Sequence, residues 1–137
     1  MVRPEVVRRR LEQLGEYLTI LERYRRYDLE AFLADPERYG SAERFLQLAI
    51  EATLDMGSHV IADDNLGSVE RSRDIPRRFR EHGRITDDVE QRWIRMIGFR
   101  NILVHQYLEV DRAVVHDVVC NRLQDLAEIR RMFAGLL

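Results

Sequence analysis

Apolar positions along this 137-residue chain recur with a helical period almost everywhere. Val7, Leu11, Leu14, Leu18 and Leu21 step by fours and threes, which puts one stripe on a helix from about Pro4 to the mid-twenties. Pro4 suits the first turn, where a missing N–H costs nothing. Residues 28–40 read as a connection with a short helical turn, in which Asp35-Pro36 forms a cap and first-turn pair. A second helix is predicted from about Ser41 to Ala62. It carries two adjoining stripes, Phe45, Leu48, Ala52, Met56, Val60 and Leu46, Ile50, Leu54, Ile61. An apolar face that broad marks a central helix packed against more than one neighbour.

Residues 63–68, DDNLGS, form a loop by composition. A short helix follows around Ile75 to Glu81, ended by Gly83. Thr86 then stands as an N-cap, with Asp87, Asp88 and Glu90 in the first turn, where the helix dipole favours negative charge. That helix carries Val89, Trp93, Met96, Ile97, Phe99, Ile102 and Leu103, residues suited to packing rather than base stacking. Asp111 caps a last helix with Val115, Val119, Leu123, Leu126, Ile129 and Phe133 at steps of three and four. No segment sustains a period of two. The expectation is an all-α antiparallel bundle of four long helices plus one short helix, forming a single domain over residues 1–137.

Composition narrows the class. Hydrophobic residues are 45% and charged residues 34%, a globular balance. No apolar run approaches the roughly 20 residues that a membrane span needs. The first residues lack the apolar segment of a secretory signal, so the cytoplasm is the expected location. A lone cysteine, Cys120, excludes an intramolecular disulfide framework and a cysteine-based zinc site. Set among Val118, Val119 and Leu123, it is expected to be buried and inert. His59, His82 and His116 show no metal-ligand spacing; His59 is expected at the core edge and the other two exposed. No metal and no cofactor are expected.

Charge is nearly balanced, with 22 basic and 24 acidic residues and a net charge of −2. That argues against a uniformly basic coat for nucleic acid but leaves local patches open. All the basic residues are arginine. Six of them fall between Arg71 and Arg84 against Asp74 and Glu81. Within that segment Arg77, Arg78 and Arg80 are candidates to track an RNA backbone. The other reading is a solvated face or a surface for an acidic partner. Arg8-Arg9-Arg10 is expected on the solvent side of the first helix.

One cluster goes beyond a plain helical bundle. Residues 100–107 read RNILVHQY, placing Arg100, His105 and Tyr107 within eight positions amid apolar residues. Arginine supplies a permanent, fork-shaped cation that fits a phosphate. Histidine exchanges a proton near neutral pH. Tyrosine offers a hydroxyl that donates, accepts or is modified. On an ideal helix, Arg100 and His105 lie about 140° apart and do not share a face. Asn101 and His105 are four apart and do, so Asn101 is a supporting candidate that can accompany the imidazole. Either the helix ends within the motif, or a second copy of the motif completes the site across a two-fold interface. Gly98, just before the motif, is a candidate for close helix approach there.

The string RNILVHQYLEVD resembles the HEPN superfamily, and within it the HepT-like proteins, whose hallmark is an RxxxxHxY motif. The segments AERFLQLAIEATLDMGSHVIAD (42–63) and EHGRITDDVEQRWIRMIGFRN (81–101) and the tail YLEVDRAVVHDVV (107–119) extend the likeness over nearly the whole chain. The resemblance implies a homodimeric, metal-independent ribonuclease toxin with Arg100 and His105 at a cleft between protomers. It implies an antitoxin partner, an MntA-like minimal nucleotidyltransferase, that silences the toxin by transferring AMP to Tyr107. The segment 71–84 is richer in arginine than the family habit. Two rival classes stand beside this expectation: a non-catalytic helical binding subunit or scaffold for a nucleotidyltransferase, and a plain dimerisation module.

Overall fold

A computed structural model describes residues 3–137, apart from the side chain of Tyr107. Among these residues the chain is helical throughout, with no strand. The elements are α1 (Pro4–Arg23), α2 (Leu29–Leu33), α3 (Pro36–Asp64), α4 (Asp74–Glu81), α5 (Asp87–His105), α6 (Arg112–Asn121) and α7 (Leu123–Ala134). Two single 3-10 turns, Tyr24–Arg26 and Tyr107–Glu109, follow α1 and α5. No helix among the described residues is long and apolar enough to cross a membrane.

The sequence placed the start of the central helix too late. Asp35 caps it by accepting the Glu37 N–H at 2.9 Å, and Pro36 occupies its first turn, so α3 begins five residues before Ser41 and runs for 29 residues. Gly40 is tolerated inside it. The connection before it holds a second short helix, α2, capped by Asp28, whose carboxylate accepts the Ala31 N–H at 2.8 Å. At the far end Asn65 adopts a left-handed conformation (φ 54°), which asparagine tolerates, and Leu66 turns back into the core. Gly83 (φ 69°) ends the turn after α4, as its position predicts.

The predicted last helix is broken. α6 stops at Asn121 and α7 starts at Leu123, with Arg122 between them at φ −122°, ψ 0°. No glycine or proline marks the break. Both segments pack on α3 and α1, but α6 adds contacts to α2 and the turn after α1, and α7 adds contacts to α5. The Gln124 side chain donates to the Asn121 carbonyl at 2.7 Å, satisfying a group freed by the break.

Cross-helix contacts fix the topology. Arg3 pairs with Asp63 and Arg10 with Asp55, so α1 and α3 are antiparallel. Trp93 meets Thr53 and Arg100 meets Glu51, so α3 and α5 are antiparallel too. The core lies around α3, whose Leu46, Ile50, Met56 and Val60 are all fully buried. Phe79, Trp93 and Phe133 form a triangle of edge-on rings with centroids 5.5–5.8 Å apart. The Trp93 indole N–H donates to the buried Thr53 hydroxyl at 3.0 Å, and that hydroxyl donates to the Ile50 carbonyl at 2.7 Å, so both polar groups are satisfied.

Gly57 allows α4 to sit against α3, because a Cβ there would run into Ile75 Cγ2. Gly57→Ala is expected to lower the unfolding free energy by about 1–3 kcal/mol through overpacking, measured by urea denaturation. Gly40→Ala, with open space at its Cβ, is the matched control and is expected not to destabilise the fold.

Candidate functional site

The RNILVHQY motif occupies the last turns of α5 and the link to α6. Thr86 starts α5 as predicted, its hydroxyl accepting the Val89 N–H at 3.2 Å. The helix ends at His105, inside the motif. The Gln106 N–H still donates to the Ile102 carbonyl at 2.9 Å, and Glu109 N–H closes a tight turn on the Gln106 carbonyl at 2.8 Å. Val110 then buries, and Asp111 caps α6 by accepting the Ala113 N–H at 2.9 Å. The short link 106–111 is therefore pinned at both ends.

Arg100 points toward α3. Its Nη2 and Nε donate to Glu51 Oε1 at 2.9 and 3.2 Å, and its Nη1 donates to Asn101 Oδ1 at 3.2 Å. The two ion-pair side chains are 24% and 31% exposed, so the pair is shielded but not sealed. Burial pushes the Glu51 carboxyl up. Hydrogen bonds from Gln47 and Arg100, and the charges of Arg100 and Arg44, outweigh it, and the carboxyl settles below its ordinary value. A guanidinium carries five N–H donors, and these contacts engage three of them. Two N–H groups, one on each terminal nitrogen, remain for a ligand.

The structure joins Arg100 to Asn101 and to Glu51, and leaves His105 apart from them. Asn101 shares a helix face with His105, as its spacing predicts, but its hydrogen bond goes to the neighbouring guanidinium. The His105 imidazole is exposed and makes no hydrogen bond or ion pair among the described residues. Tyr107 lies in the 3-10 turn after the helix; its side chain is outside the described residues. Gly98 is exposed, with nothing within 4 Å of a Cβ built on it.

Glu51 escaped the reading of the sequence. Its spacing puts it on the polar strip of the central helix with Arg44, Gln47, Asp55 and Ser58, where nothing in the sequence sets it apart from the other solvent-side residues. Its pairing with Arg100 comes from the approach of α5 along that strip, a contact distant along the chain.

In the basic segment, four arginines are committed to acids. Arg77 lies 3.7 Å from Asp74, Arg78 pairs with Glu81 at 3.2 Å, Arg80 with Glu90 at 3.3 Å, and Arg84 with Asp64 at 2.6 Å. Arg78 also donates to the Ser68 carbonyl. Arg77, Arg78 and Arg80 thus brace α4 against its own loop and the start of α5. The guanidinium groups of Arg71 and Arg73 enter no ion pair among the described residues, and both side chains are exposed.

His116 is half-buried rather than exposed. Its ring lies 5.2 Å from that of Phe32, tilted by 51°, and a ring nitrogen meets the Tyr27 carbonyl at 2.8 Å. Cys120, expected to be buried, is also half-buried, 3.4 Å from the same imidazole; burial pushes its thiol above the ordinary value, which keeps it protonated. Among the described residues, no three His, Cys, Asp or Glu side chains are grouped to hold a metal ion.

The sequence profile described as "Ribonuclease HepT-like" matches residues 14–133, which include the whole motif. The chain belongs to the ribonuclease HepT-like family. Among HepT-like relatives, it is 26% identical to the "tRNA nuclease HepT" of Aphanizomenon flos-aquae over 123 residues, covering 90% of this chain and 84% of that protein. It is 32% identical to the "mRNA nuclease HepT" of Shewanella oneidensis over 83 residues, covering 61% of this chain and 62% of that protein. The fold matches a solved structure of a tri-AMPylated Shewanella oneidensis HEPN toxin in complex with MNT antitoxin. The TM-score is 0.89 at 23% identity, over 97% of this chain and 99% of that one. It also matches YutE, a cytosolic protein from Bacillus subtilis, with a TM-score of 0.85 at 18% identity, over 99% and 91% of the two chains.

The Glu51–Arg100 pair of this HepT-like chain carries a pH signature. The carboxyl is lowered in the folded state, so its stabilisation is complete above the ordinary glutamate value of about 4.3 and is lost as pH falls through the lowered one. Wild type is expected to exceed Glu51→Gln in stability by a constant margin from about pH 6 to 8, and the margin to shrink in acid below about pH 4. Urea denaturation of both proteins across that range checks this.

Proposed function

We propose that this protein is a homodimeric, metal-independent endoribonuclease toxin in which Arg100 and His105 act at a cleft shared by two copies. The observation that carries the reading is the arrangement of the motif itself. Glu51 and Asn101 clamp the Arg100 guanidinium toward α3, and the imidazole stands exposed at the end of the same helix. Within one chain the two groups are directed apart, so a second copy supplies the complement that a single phosphodiester requires.

In this mechanism one His105 takes the proton of the ribose 2′-hydroxyl as that oxygen attacks the adjacent phosphorus. The bond to the 5′-oxygen breaks, and the second copy's imidazole, in its protonated form, returns a proton to the leaving oxygen. The products are a 2′,3′-cyclic phosphate and a free 5′-hydroxyl. The two unengaged N–H groups of Arg100 bind the non-bridging oxygens and meet the charge that grows on them. Asn101 and Glu51 act through Arg100 by fixing its plane.

Control is proposed to come from a nucleotidyltransferase of the MntA type. One solved neighbour supports this, being described as a tri-AMPylated HEPN toxin in complex with MNT antitoxin. An AMP group on Tyr107, two residues from His105, adds bulk and negative charge beside the phosphate site and repels RNA.

Single-stranded RNA incubated with the protein in chelator is expected to be cleaved, and His105→Ala to lower the rate by about 10²–10⁴-fold. Undiminished cleavage by His105→Ala would sink the assignment. A dimer that binds but never cuts RNA would favour the non-catalytic scaffold instead. Co-expression with an MntA-like nucleotidyltransferase is expected to raise the intact mass by whole AMP units, and Tyr107→Phe to abolish the increase.

A further inference from the structure

The ion pairing around the motif leaves an electrostatic gap. Arg100 is balanced by Glu51, so the pair presents no net charge to an incoming polyanion. Arg77, Arg78, Arg80 and Arg84 are likewise matched by carboxylates. Unmatched positive charge near the motif comes from Arg44, exposed beside Glu51, and from a pair of arginines in another place. Arg71 and Arg73, in the turn before α4, border a cavity of about 460 Å³ whose opposite wall is the Ile94, Ile97, Gly98 and Asn101 face of α5. The backbone there is held by Asp74, whose carboxylate accepts the N–H groups of Glu70 and Arg71 at 3.1 and 3.0 Å. Asp74 is thereby occupied with the turn and with Arg77, and the two guanidinium groups stay unmatched.

The groove leads to the reacting groups. Asn101 at its end is hydrogen-bonded to Arg100, and His105 lies one turn further, about 6 Å along the helix. Gly98 leaves the helix surface bare, and the isoleucines give an apolar floor. A strand lying here would rest its sugars or bases on that floor and turn its phosphates to the two arginines.

We infer that the Arg71–Arg73 groove on α5 is a binding subsite for single-stranded RNA, in which these two arginines hold backbone phosphates next to the one that is cut. This subsite rests on the ribonuclease reading and locates the RNA contacts of the basic segment at its start, ahead of the paired Arg77, Arg78 and Arg80.

The salt dependence of binding tests it, because each phosphate contact on a single strand contributes about 0.7 to the slope of log K against log salt. Binding of a fluorescent single-stranded RNA is measured on His105→Ala protein, which prevents cleavage. Adding Arg71→Ser and Arg73→Ser is expected to lower the slope by about 1.4 and to weaken binding. Adding Arg8→Ser and Arg9→Ser, which makes the same change in net charge on the exposed face of α1, is expected to leave the slope as it was. Circular dichroism and sedimentation confirm helicity and oligomeric state in each case. An unchanged slope with Arg71→Ser and Arg73→Ser, in a protein whose wild type still cuts RNA, overturns the subsite and leaves the ribonuclease reading standing. A changed oligomeric state with an unchanged slope would assign the groove to a second copy, and lost control by a nucleotidyltransferase with an unchanged slope would assign it to a protein partner; either result overturns the subsite. Wild type that neither binds nor cuts RNA removes the subsite and the ribonuclease reading together.

Discussion

The organisation of this protein follows from the need to cover α3 on more than one side. Its 29 residues carry a broad buried wall that one neighbouring helix cannot shield. α1, α4, α5 and α7 all pack on it, and small residues such as Ala42, Ala49 and Gly57 let them approach. One polar side chain, Thr53, interrupts the wall, and Glu51 lies on the polar strip at its edge; α5 contacts both. Trp93 donates to Thr53, and Arg100 donates to Glu51. A group withdrawn from water without a partner costs free energy, so the buried Trp93–Thr53 contact holds α5 in place on α3, and the partly exposed Arg100–Glu51 pair adds a second tie. The motif is placed by these contacts, because its arginine makes one of them.

The same constraint shapes what the arginine can do. A guanidinium already paired with a carboxylate brings little net field to an incoming phosphate. It brings direction instead, with two N–H groups held in a plane that is fixed before substrate arrives. Such preorganised donors stabilise charge that develops during a reaction without reorganising at that moment. Long-range attraction of a polyanion then has to come from charges with no acid beside them. Division of labour between a neutralised, oriented arginine and unneutralised ones nearby is a direct consequence of where the carboxylates fall.

Much of this was legible in the chain. The periods of three and four found the helices, and Thr86 and Asp111 marked the starts of two of them, because capping chemistry is local and written in one or two residues; Asp35-Pro36, read as capping a short turn, in fact opens α3. The central role of α3 followed from the width of its apolar face. What the sequence hid was set by contacts distant along the chain. Nothing local announces the break at Arg122, on either side of which the chain shares α3 and α1 but turns from α2 to α5. The partner of Asn101 was misread because helix spacing brings it to His105, while the Glu51 carboxylate holds the Arg100 fork within its reach. The arginines of 71–84 looked equivalent in composition, and only the folded chain separates those matched by Asp74, Glu81, Glu90 and Asp64 from those that are not.

The end of α5 at His105 bears on the two-copy reading. Had the helix continued, the imidazole would sit on a regular face, flanked by a further turn of side chains. Instead the backbone turns sharply through Gln106 and a single 3-10 turn before Val110 anchors it in the core. The imidazole therefore stands exposed at the end of the helix, while Arg100 is turned to α3 about 140° around the axis. Bending the helix could not unite them, since α5 is regular between the two residues and locked to α3 at Trp93 and Arg100. In the proposed two-copy reading, a two-fold axis near the exposed end would bring them together without deforming either chain: a second arginine and a second imidazole would face the first in opposed directions, as general acid and general base on opposite sides of one phosphorus require.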